Sequence, residues 1–194
     1  RLQGEFTREL VNSVTHIIEV YDSYTGGHSK NVAQISTKIA EEMGLSPTEI
    51  RNAYWSGMIH DIGKLLIPLG ILNKEGSLTD EEFKKVKKHP VWTFETLEES
   101  KILRNIAEYA LYHHERWDGK GYPEGLEGDE IPLISQILSL ADAWDAMRSE
   151  RAYRDPLPEK EAVQEIKDNR GSQFAPEIVD VFLKIIKKDD IMCI

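Results

Sequence analysis

The chain has 194 residues, 40% of them hydrophobic and 30% charged, a composition that is typical of a globular domain and excludes a disordered chain. The net charge of −10 at pH 7 argues against a nucleic-acid polymer as a partner, and no apolar run is long enough to predict a membrane span. The single cysteine, Cys193, excludes an internal disulfide and a cysteine-rich zinc site, and it favours a cytoplasmic location.

The first predicted element is a helix over residues 4–24, where apolar residues are spaced by three and four positions. We expect this helix to connect the remainder of the chain, 25–194, to an upstream regulatory domain. It is also the candidate surface for a homodimer. His16, which has no partner at a spacing suited to metal binding, is interpreted as a surface or structural histidine.

The remaining elements are also predicted to be helical, because no segment shows the alternation of a strand. Glycine and proline predict a loop over residues 63–70. Caps and apolar spacing predict helices from His28 to Met43, from Ser46 to Asp61, from Thr79 to His89, after Pro90, from Leu103 to Tyr112, from Pro132 to Met147, and after Pro158 and Pro176. The predicted fold class is therefore all-α.

Most of the histidines lie at predicted helix ends or beside glycine or proline: His28, His60, His89, His113 and His114. With Asp61 and Asp142 they supply five imidazoles and two carboxylates, which are too many for one zinc ion and suit a two-metal site. Asp61 can bridge two ions, one through each oxygen. The pairs His60-Asp61 and His113-His114 each have an ordinary structural interpretation when taken alone, but their joint occurrence with Asp142 favours a metal site.

The segments His60-Asp61-Ile62-Gly63-Lys64, His113-His114-Glu115 and Gly121-Tyr122-Pro123 resemble the HD-GYP class of the HD superfamily of phosphodiesterases. The similarity extends over nearly the whole chain. It implies an HD-domain helical bundle with additional C-terminal helices, in which residues 25–194 form the catalytic domain. It also implies hydrolysis of the bacterial second messenger cyclic di-GMP to linear pGpG or to GMP, as part of signal transduction.

The same resemblance implies two divalent metal ions as cofactors, with iron expected first and manganese second. One ion would be held by His28, His60, Asp61 and Asp142, and the other by Asp61, His89, His113 and His114. Two such ions lower the pKa of a shared water, so that a bridging hydroxide forms near neutral pH. Some members of the class hold a third ion through a glutamate four residues before the first histidine. Tyr24 stands at that position here, so we predict a dinuclear site and accumulation of pGpG.

Four side chains are candidates for contact with the substrate. Lys64 would act in catalysis beside His60 and Asp61 by neutralising a phosphate oxygen or the leaving group, although it could also be an ordinary surface lysine. Arg151 and Arg154 match the positions that contact phosphate in the class, and guanidinium groups suit phosphate, but both could instead form surface salt bridges. Tyr122 either contacts the ligand or packs its own loop.

Two acidic residues close to the predicted ligands, Glu115 and Asp145, are expected to orient histidine ligands from behind. Trp117 and Trp144 are interpreted as core residues rather than platforms for bases.

Two rival functions remain open. The chain could be an HD phosphohydrolase of another nucleotide or cyclic dinucleotide, because metal ligands determine the chemistry and not the substrate. The Gly121-Tyr122-Pro123 loop and the two arginines favour cyclic di-GMP. The chain could also be a sensing module that binds nucleotide without turnover, and the complete set of seven predicted ligands argues against that interpretation.

Overall fold

The computed structural model describes residues 27–149 and 155–188, together with Glu9, Ser13, His16 and Tyr21. These four residues are helical, and His16 is exposed, as expected for a surface histidine. The rest of the predicted helix over residues 4–24 lies outside the described residues. Its proposed roles as a connector and as a dimer surface therefore stay predictions.

The described part of the chain is helical throughout, and its only β pairing consists of isolated bridges, so the all-α prediction is confirmed. Two 3₁₀ helices, Ile62–Leu66 and Gly128–Glu130, interrupt the series. The α-helices are α1 (His28–Glu42), α2 (Pro47–Ile59), α3 (Leu69–Leu72), α4 (Asp80–Val86), α5 (His89–Leu97), α6 (Arg104–Leu111), α7 (Leu133–Arg148), α8 (Glu159–Asp168) and α9 (Pro176–Lys187).

The predicted helix caps are present in the structure. Ser46 and Thr79 each form a capping box, in which the side chain accepts a hydrogen bond from the third helical N–H and the glutamate there bonds back. A cap of this kind stabilises a helix by about 1 kcal/mol. At the C-terminal end of α1, Gly44 adopts φ of 72°. The N–H of Leu45 donates to the carbonyl of Ala40, which is the Schellman arrangement.

Two boundaries differ from the sequence prediction. The helix expected to run from Thr79 to His89 ends at Val86, and His89 opens α5 instead. Pro90 explains the break, because its ring would clash with the carbonyl four residues earlier, at Val86, if one helix continued. The predicted loop over residues 63–70 is also more regular than expected, since it contains a 3₁₀ helix and the single turn of α3.

The main core forms around α7, whose buried residues include Ile137, Leu138 and Ala141. The apolar face of α9 packs against it, and the rings of Trp144 and Phe182 meet edge to face with centroids 5.0 Å apart. Trp144 is buried, as predicted for a core residue, and Trp117 packs on the same core.

Close packing of α1 against α2 sets the positions of the first two histidines. A Cβ atom at Gly57 would lie 2.6 Å from the Cα of Ala33, so only glycine permits this approach. His28 opens α1 and His60 follows α2, and their ring centroids lie 5.2 Å apart. Within the described ranges, no helix is both long and apolar enough to cross a bilayer.

Candidate metal centre

Ends of four helices and the middle of a fifth bring all seven predicted ligands into one buried cluster. His28 opens α1, His60 follows α2, His89 opens α5, His113 and His114 follow α6, and Asp142 lies inside α7. Among the described residues, three groups have ligand atoms that all lie within 4.8 Å of one another, and the group of His60, Asp61 and His113 joins the other two. We call His28, His60 and Asp142 the carboxylate half, and His89, His113 and His114 the imidazole half.

Asp61 lies between the two halves and faces both. Its Oδ2 is 3.3 Å from Nε2 of His60 and 3.7 Å from Nε2 of His28. Its Oδ1 is 3.3 Å from Nε2 of His89, in the other half. This placement, with one oxygen toward each group, is the one expected of a carboxylate that bridges two cations.

Three buried histidines share one hydrogen-bonding arrangement. Each Nδ1 bonds to the backbone carbonyl three residues earlier: His60 to Gly57 at 2.8 Å, His89 to Val86 at 2.7 Å, and His113 to Ala110. Because a carbonyl only accepts, Nδ1 carries the proton and Nε2 keeps its lone pair. The Nε2 atoms of all three are buried and make no hydrogen bond. Such orphaned lone pairs are costly in a core unless a cation occupies the site.

The imidazole half consists of neutral rings. Burial lowers the pKa of His89 to about 3, and the neighbouring His114 and the ammonium of Lys64 act in the same direction against the opposing effect of Asp61. Burial also lowers the pKa of His113 well below its ordinary value, with further lowering from His114 and His60. Neutral imidazole is the form that binds a metal ion.

The carboxylate half is electrostatically different. Burial by itself lowers the pKa of His28, but hydrogen bonds with Asp142 and Asp145 outweigh burial and raise it to about 9. The Nδ1 atom of His28 lies 2.7 Å from Oδ2 of Asp145, and Nε2 lies 3.3 Å from Oδ1 of Asp142. The structure therefore places Asp145 where the sequence predicted it, behind a candidate histidine ligand.

The carboxylates of the cluster are held in the ionised form. Burial alone would raise the pKa of Asp61, but the neighbouring His60 and the ammonium of Lys64 lower it well below its ordinary value. Burial likewise opposes ionisation of Asp142, and the hydrogen bond and charge of His28 lower its pKa well below that of a free aspartate. Two anionic oxygen donors beside neutral imidazoles form a ligand set that suits divalent transition metals.

Part of the cluster is accessible to solvent. His28, His60, Asp61, His89 and His113 are buried, whereas four groups at the rim are partly exposed: Lys64, His114, Tyr122 and Asp142. The Nζ atom of Lys64 lies 2.7 Å from Oδ2 of Asp61, and its side chain is 19% exposed. This position puts a cation at the rim next to the carboxylate of Asp61, and the catalytic role of Lys64 stays a prediction.

Glu115 departs from the prediction that it orients a histidine ligand. It is 2% exposed, and its Oε1 accepts hydrogen bonds from the backbone N–H groups of Glu124 at 2.7 Å and Gly125 at 3.0 Å. Its Oε2 makes no hydrogen bond. Glu115 thus fixes the loop that carries Tyr122 instead of a ligand ring. No residue pattern indicated this role, because the partners are backbone groups.

The loop that carries Tyr122 folds directly over His114, at the end of the His113-His114 pair. The N–H of Tyr122 donates to the carbonyl of His114 at 3.2 Å, and the two rings stack with centroids 4.9 Å apart. A Cβ atom at Gly121 would lie 2.5 Å from the Cα of Glu115, so glycine is required for this approach. The guanidinium of Arg116 forms a two-point salt bridge to Asp118 at 3.0 Å, which stiffens the start of the loop.

Sequence reasoning missed two residues that support the cluster. Asn31, one turn after His28, donates from Nδ2 to Oδ1 of Asp145 at 2.9 Å, and its spacing was the available signal. Thr93 is fully buried, and its Oγ1 donates to the carbonyl of His60 and accepts from the N–H of Gly63. Thr93 thereby links α5 to the turn that carries Asp61, and no pattern in the sequence pointed to it.

Three residues of the sequence prediction lie outside the part of the chain that the structure describes: Tyr24, Arg151 and Arg154. The dinuclear site expected from Tyr24 therefore stays a prediction. The phosphate contacts of the two arginines stay predictions as well.

Known proteins resemble the chain over most of its length. A family model described as an HD domain matches residues 12–178. The cyclic di-GMP phosphodiesterase of Thermotoga maritima is 43% identical over 186 residues, which are 95% of this chain and 50% of that protein. The 3′3′-cGAMP-specific phosphodiesterase 2 of Vibrio cholerae is 35% identical over 182 residues, 93% of this chain and 35% of that protein. The chain thus spans half or less of the length of these relatives.

A solved structure supports the fold. The crystal structure of a cyclic GMP-AMP-specific phosphodiesterase of V. cholerae superposes with a TM-score of 0.68 at 21% identity, covering 95% of this chain and 49% of that chain. At this identity the likeness shows the helical architecture alone. It confirms the HD-type bundle that the sequence predicted.

Proposed function

This chain belongs to the HD domain family, and from that premise we propose that it is a metal-dependent phosphodiesterase that hydrolyses cyclic di-GMP to linear pGpG. Residues 25–194 form the catalytic domain in this proposal. The helix over residues 4–24 links it to an upstream regulatory domain, and the enzyme acts in bacterial signal transduction in the cytoplasm.

One observation carries the proposal: three buried Nε2 lone pairs that make no hydrogen bond converge beside the ionised carboxylates of Asp61 and Asp142. A purely structural core would leave this set at a large energetic cost, because each unsatisfied buried polar group costs about 1–3 kcal/mol. Two divalent cations satisfy the whole set. We propose that the carboxylate half holds one ion, the imidazole half holds the other, and Asp61 contacts both.

The ions would supply a water of lowered pKa and positive charge beside the phosphoryl oxygens. The residues of the chain position those groups. Asp145 holds the ring of His28 through Nδ1, which directs Nε2 toward the cluster. Lys64, held at the rim by Asp61, neutralises charge that develops on the phosphate or on the leaving ribose oxygen. Arg151 and Arg154 contact the second phosphate in this proposal.

Iron is the first choice for the native metal and manganese the second, since imidazole–carboxylate sets without thiolate accept both. The predicted absence of a third ion gives pGpG as the main product, with GMP formed slowly if at all.

Anaerobic product analysis with cyclic di-GMP, alongside the metal content, tests the proposal. We expect turnover to pGpG by protein that carries two ions per chain, and no turnover by the double variant His60→Ala, Asp61→Ala. His16→Ala, at an exposed position outside the cluster, is the matched control and should retain wild-type turnover. Metal-loaded protein that binds cyclic di-GMP without cleaving it would support a sensing module instead.

A second substrate has a specific observation in its favour. A relative that is 35% identical over 93% of this chain is named as specific for 3′3′-cGAMP. The metal cluster would cleave either cyclic dinucleotide, because it acts on the phosphodiester that both contain. Competition between cyclic di-GMP and 3′3′-cGAMP in one reaction distinguishes the two, and we expect cyclic di-GMP to be consumed first.

A further inference from the structure

A large aromatic side chain lies exposed near the rim of the metal cluster. Phe83, on α4, is 47% exposed, whereas the phenylalanines Phe174 and Phe182 are buried in the core. The phenyl ring is thus accessible to solvent, although single exposed apolar residues are common on protein surfaces. The residues that surround Phe83 indicate whether the ring has a function.

A lysine joins this ring to the loop over the metal cluster. The Nζ atom of Lys87 lies 4.8 Å from the ring centroid of Phe83 and 5.3 Å from that of Tyr122. Both distances are within the range of cation–π attraction. The contact with Phe83 is an ordinary one between residues four apart at a helix end. The contact with Tyr122 is not local, because it joins α4 to a loop that is distant in sequence.

The ring of Tyr122 leads from this lysine to the candidate ligands. It stacks on His114 with an interplanar angle of 29°, and both side chains are partly exposed at the rim. Because Tyr122 is in contact with His114 and Lys87, the exposed aromatic surface beside the ammonium belongs to Phe83. The ammonium and the exposed ring therefore lie next to the imidazole half, on the open side of the cluster.

We propose that Phe83 and Lys87 form a subsite for a guanine base of the substrate. Phe83 supplies a ring on which the base stacks, and Lys87 donates hydrogen bonds to its O6 and N7 atoms. This inference rests on the proposed function, since a phosphodiester at the metal cluster directs an attached nucleoside toward the rim. It adds a determinant of base specificity that neither the metal ligands nor the predicted arginines provide.

The chemistry of the pair selects guanine over adenine. Guanine presents two acceptors, O6 and N7, on one edge, whereas adenine replaces O6 with an amino group that donates. A lysine has three donors and no acceptor, so it pairs with the guanine edge and opposes the adenine amino group. Stacking on Phe83 does not distinguish the bases, because every base has a π face. Lys87 therefore sets specificity, and Phe83 sets affinity.

Equilibrium dialysis of the metal-loaded protein with 5′-GMP and 5′-AMP tests the subsite without relying on turnover. We expect tighter binding of GMP than of AMP by the wild type. Lys87→Met keeps the aliphatic stem and removes the charge, and it should weaken GMP binding at least fivefold while changing AMP binding less than twofold. Phe83→Ala should weaken both nucleotides by about 5- to 150-fold, the range that corresponds to ~1–3 kcal/mol of stacking per base.

Lys84→Met is the matched control, because Lys84 is an exposed lysine of the same helix. It should bind both nucleotides as the wild type does, and all variants should keep the wild-type metal content. Equal weakening of GMP and AMP in Lys87→Met would overturn the assignment, since it would indicate attraction to phosphate alone. Unchanged binding in Lys87→Met or Phe83→Ala would overturn it as well.

The steady-state constants separate this inference from the proposed function. We expect Lys87→Met to raise KM for cyclic di-GMP more than for 3′3′-cGAMP, with kcat within about twofold of the wild type. If the wild type shows the GMP preference and its loss in Lys87→Met but cleaves neither dinucleotide, the proposed function fails and the subsite stands. If cyclic di-GMP is cleaved and KM is unchanged in Lys87→Met, the subsite fails and the function stands.

Discussion

The two halves of the metal cluster satisfy their buried polar groups in different ways. In the carboxylate half, His28 lies between Asp142 and Asp145, and its pKa is raised to about 9, so a protonated ring and its anionic partners neutralise one another. In the imidazole half, His89 and His113 are neutral, and their Nε2 atoms make no hydrogen bond. Nε2 of His60, in the carboxylate half, also makes no hydrogen bond. The protein alone therefore neutralises His28 and its partners, whereas three imidazole lone pairs, two of them in the imidazole half, are left for a cation.

The histidine rings of the two halves are also held in place by different groups. The imidazole half takes its orientation from the backbone, because the carbonyls of Val86 and Ala110 fix the tautomers of His89 and His113. In the carboxylate half, Asp145, which accepts a hydrogen bond from Asn31, orients His28, whereas the carbonyl of Gly57 orients His60. Substitution of Asp145 or Asn31 can therefore loosen His28 selectively, while the backbone hydrogen bonds of His60, His89 and His113 remain.

The largest effect is expected from Asp61→Asn, which removes the charge that both halves share. Breaking a buried charge network costs about 3–5 kcal/mol, so turnover should fall on the order of 10³-fold, with loss of both ions. Turnover of cyclic di-GMP and metal content measure this effect. Retention of one tightly bound ion with wild-type affinity would show that Asp61 serves one half only.

Removal of metal by a chelator should destabilise the protein through the imidazole half. An ion present at 100 times its Kd stabilises a protein by about 2.7 kcal/mol, and each kcal/mol shifts Tm by about 2–4 °C in a chain of this size. Calorimetry with and without chelator should therefore show a fall in Tm of about 5–10 °C per ion. In His113→Ala the fall should be about half as large. An equal fall in Tm in the wild type and in His113→Ala would show that the imidazole half does not depend on a metal ion.

The folding stability of the chelated protein should depend on pH, and His89 and His28 should contribute to that dependence with opposite signs. His89 has a pKa lowered to about 3, so the unfolded chain binds its proton first, and stability falls as the pH decreases from about 6.5 toward 3. His28 has a pKa raised to about 9, so its contribution is complete below about 6.5 and is lost as the pH rises through 9. Each effect is on the order of 3–5 kcal/mol.

Urea unfolding of the chelated protein across this pH range measures both effects. His28→Gln should flatten the alkaline decline and leave the acid decline unchanged. A variant that flattens the acid decline instead would reverse the assignment of charge between the two halves.

The smallest effect is expected from Asp145→Asn, which weakens the hold on His28 without removing a candidate ligand. Substitution of a residue behind a ligand costs 10–100-fold in metal affinity, and we expect about tenfold here, because Asn can still accept a hydrogen bond from Nδ1. Titration with manganese should show this loss in one of two binding steps. Equal weakening of both steps would indicate a general loss of structure rather than an effect on the carboxylate half.

The sequence predicted the candidate ligands well because they occur where the chain itself gives strong local signals. Capping residues and prolines placed the helix ends, and the histidines and Asp61 are adjacent to those ends. The resemblance to the HD-GYP class supplied the division of these residues between two ions, which stays a prediction. Asp145 was found because it lies one turn from Asp142 on the same helix.

The supporting contacts were harder to predict because they join segments that are distant in sequence. Thr93 bonds to backbone groups on either side of Asp61, and Glu115 bonds to backbone groups of its loop. Backbone partners leave no residue pattern, so these contacts appear only when the fold brings the segments together. The break between α4 and α5 was misplaced because the clash of Pro90 acts four residues earlier.

The most direct test of the account is the number and location of metal ions in anaerobically purified protein, measured by elemental analysis and anomalous diffraction. We expect two ions per chain. One should lie beside His28, His60 and Asp142 and the other beside His89, His113 and His114, with Asp61 between them. A single ion, a third ordered ion, or a cluster that stays empty at saturating iron or manganese would contradict it.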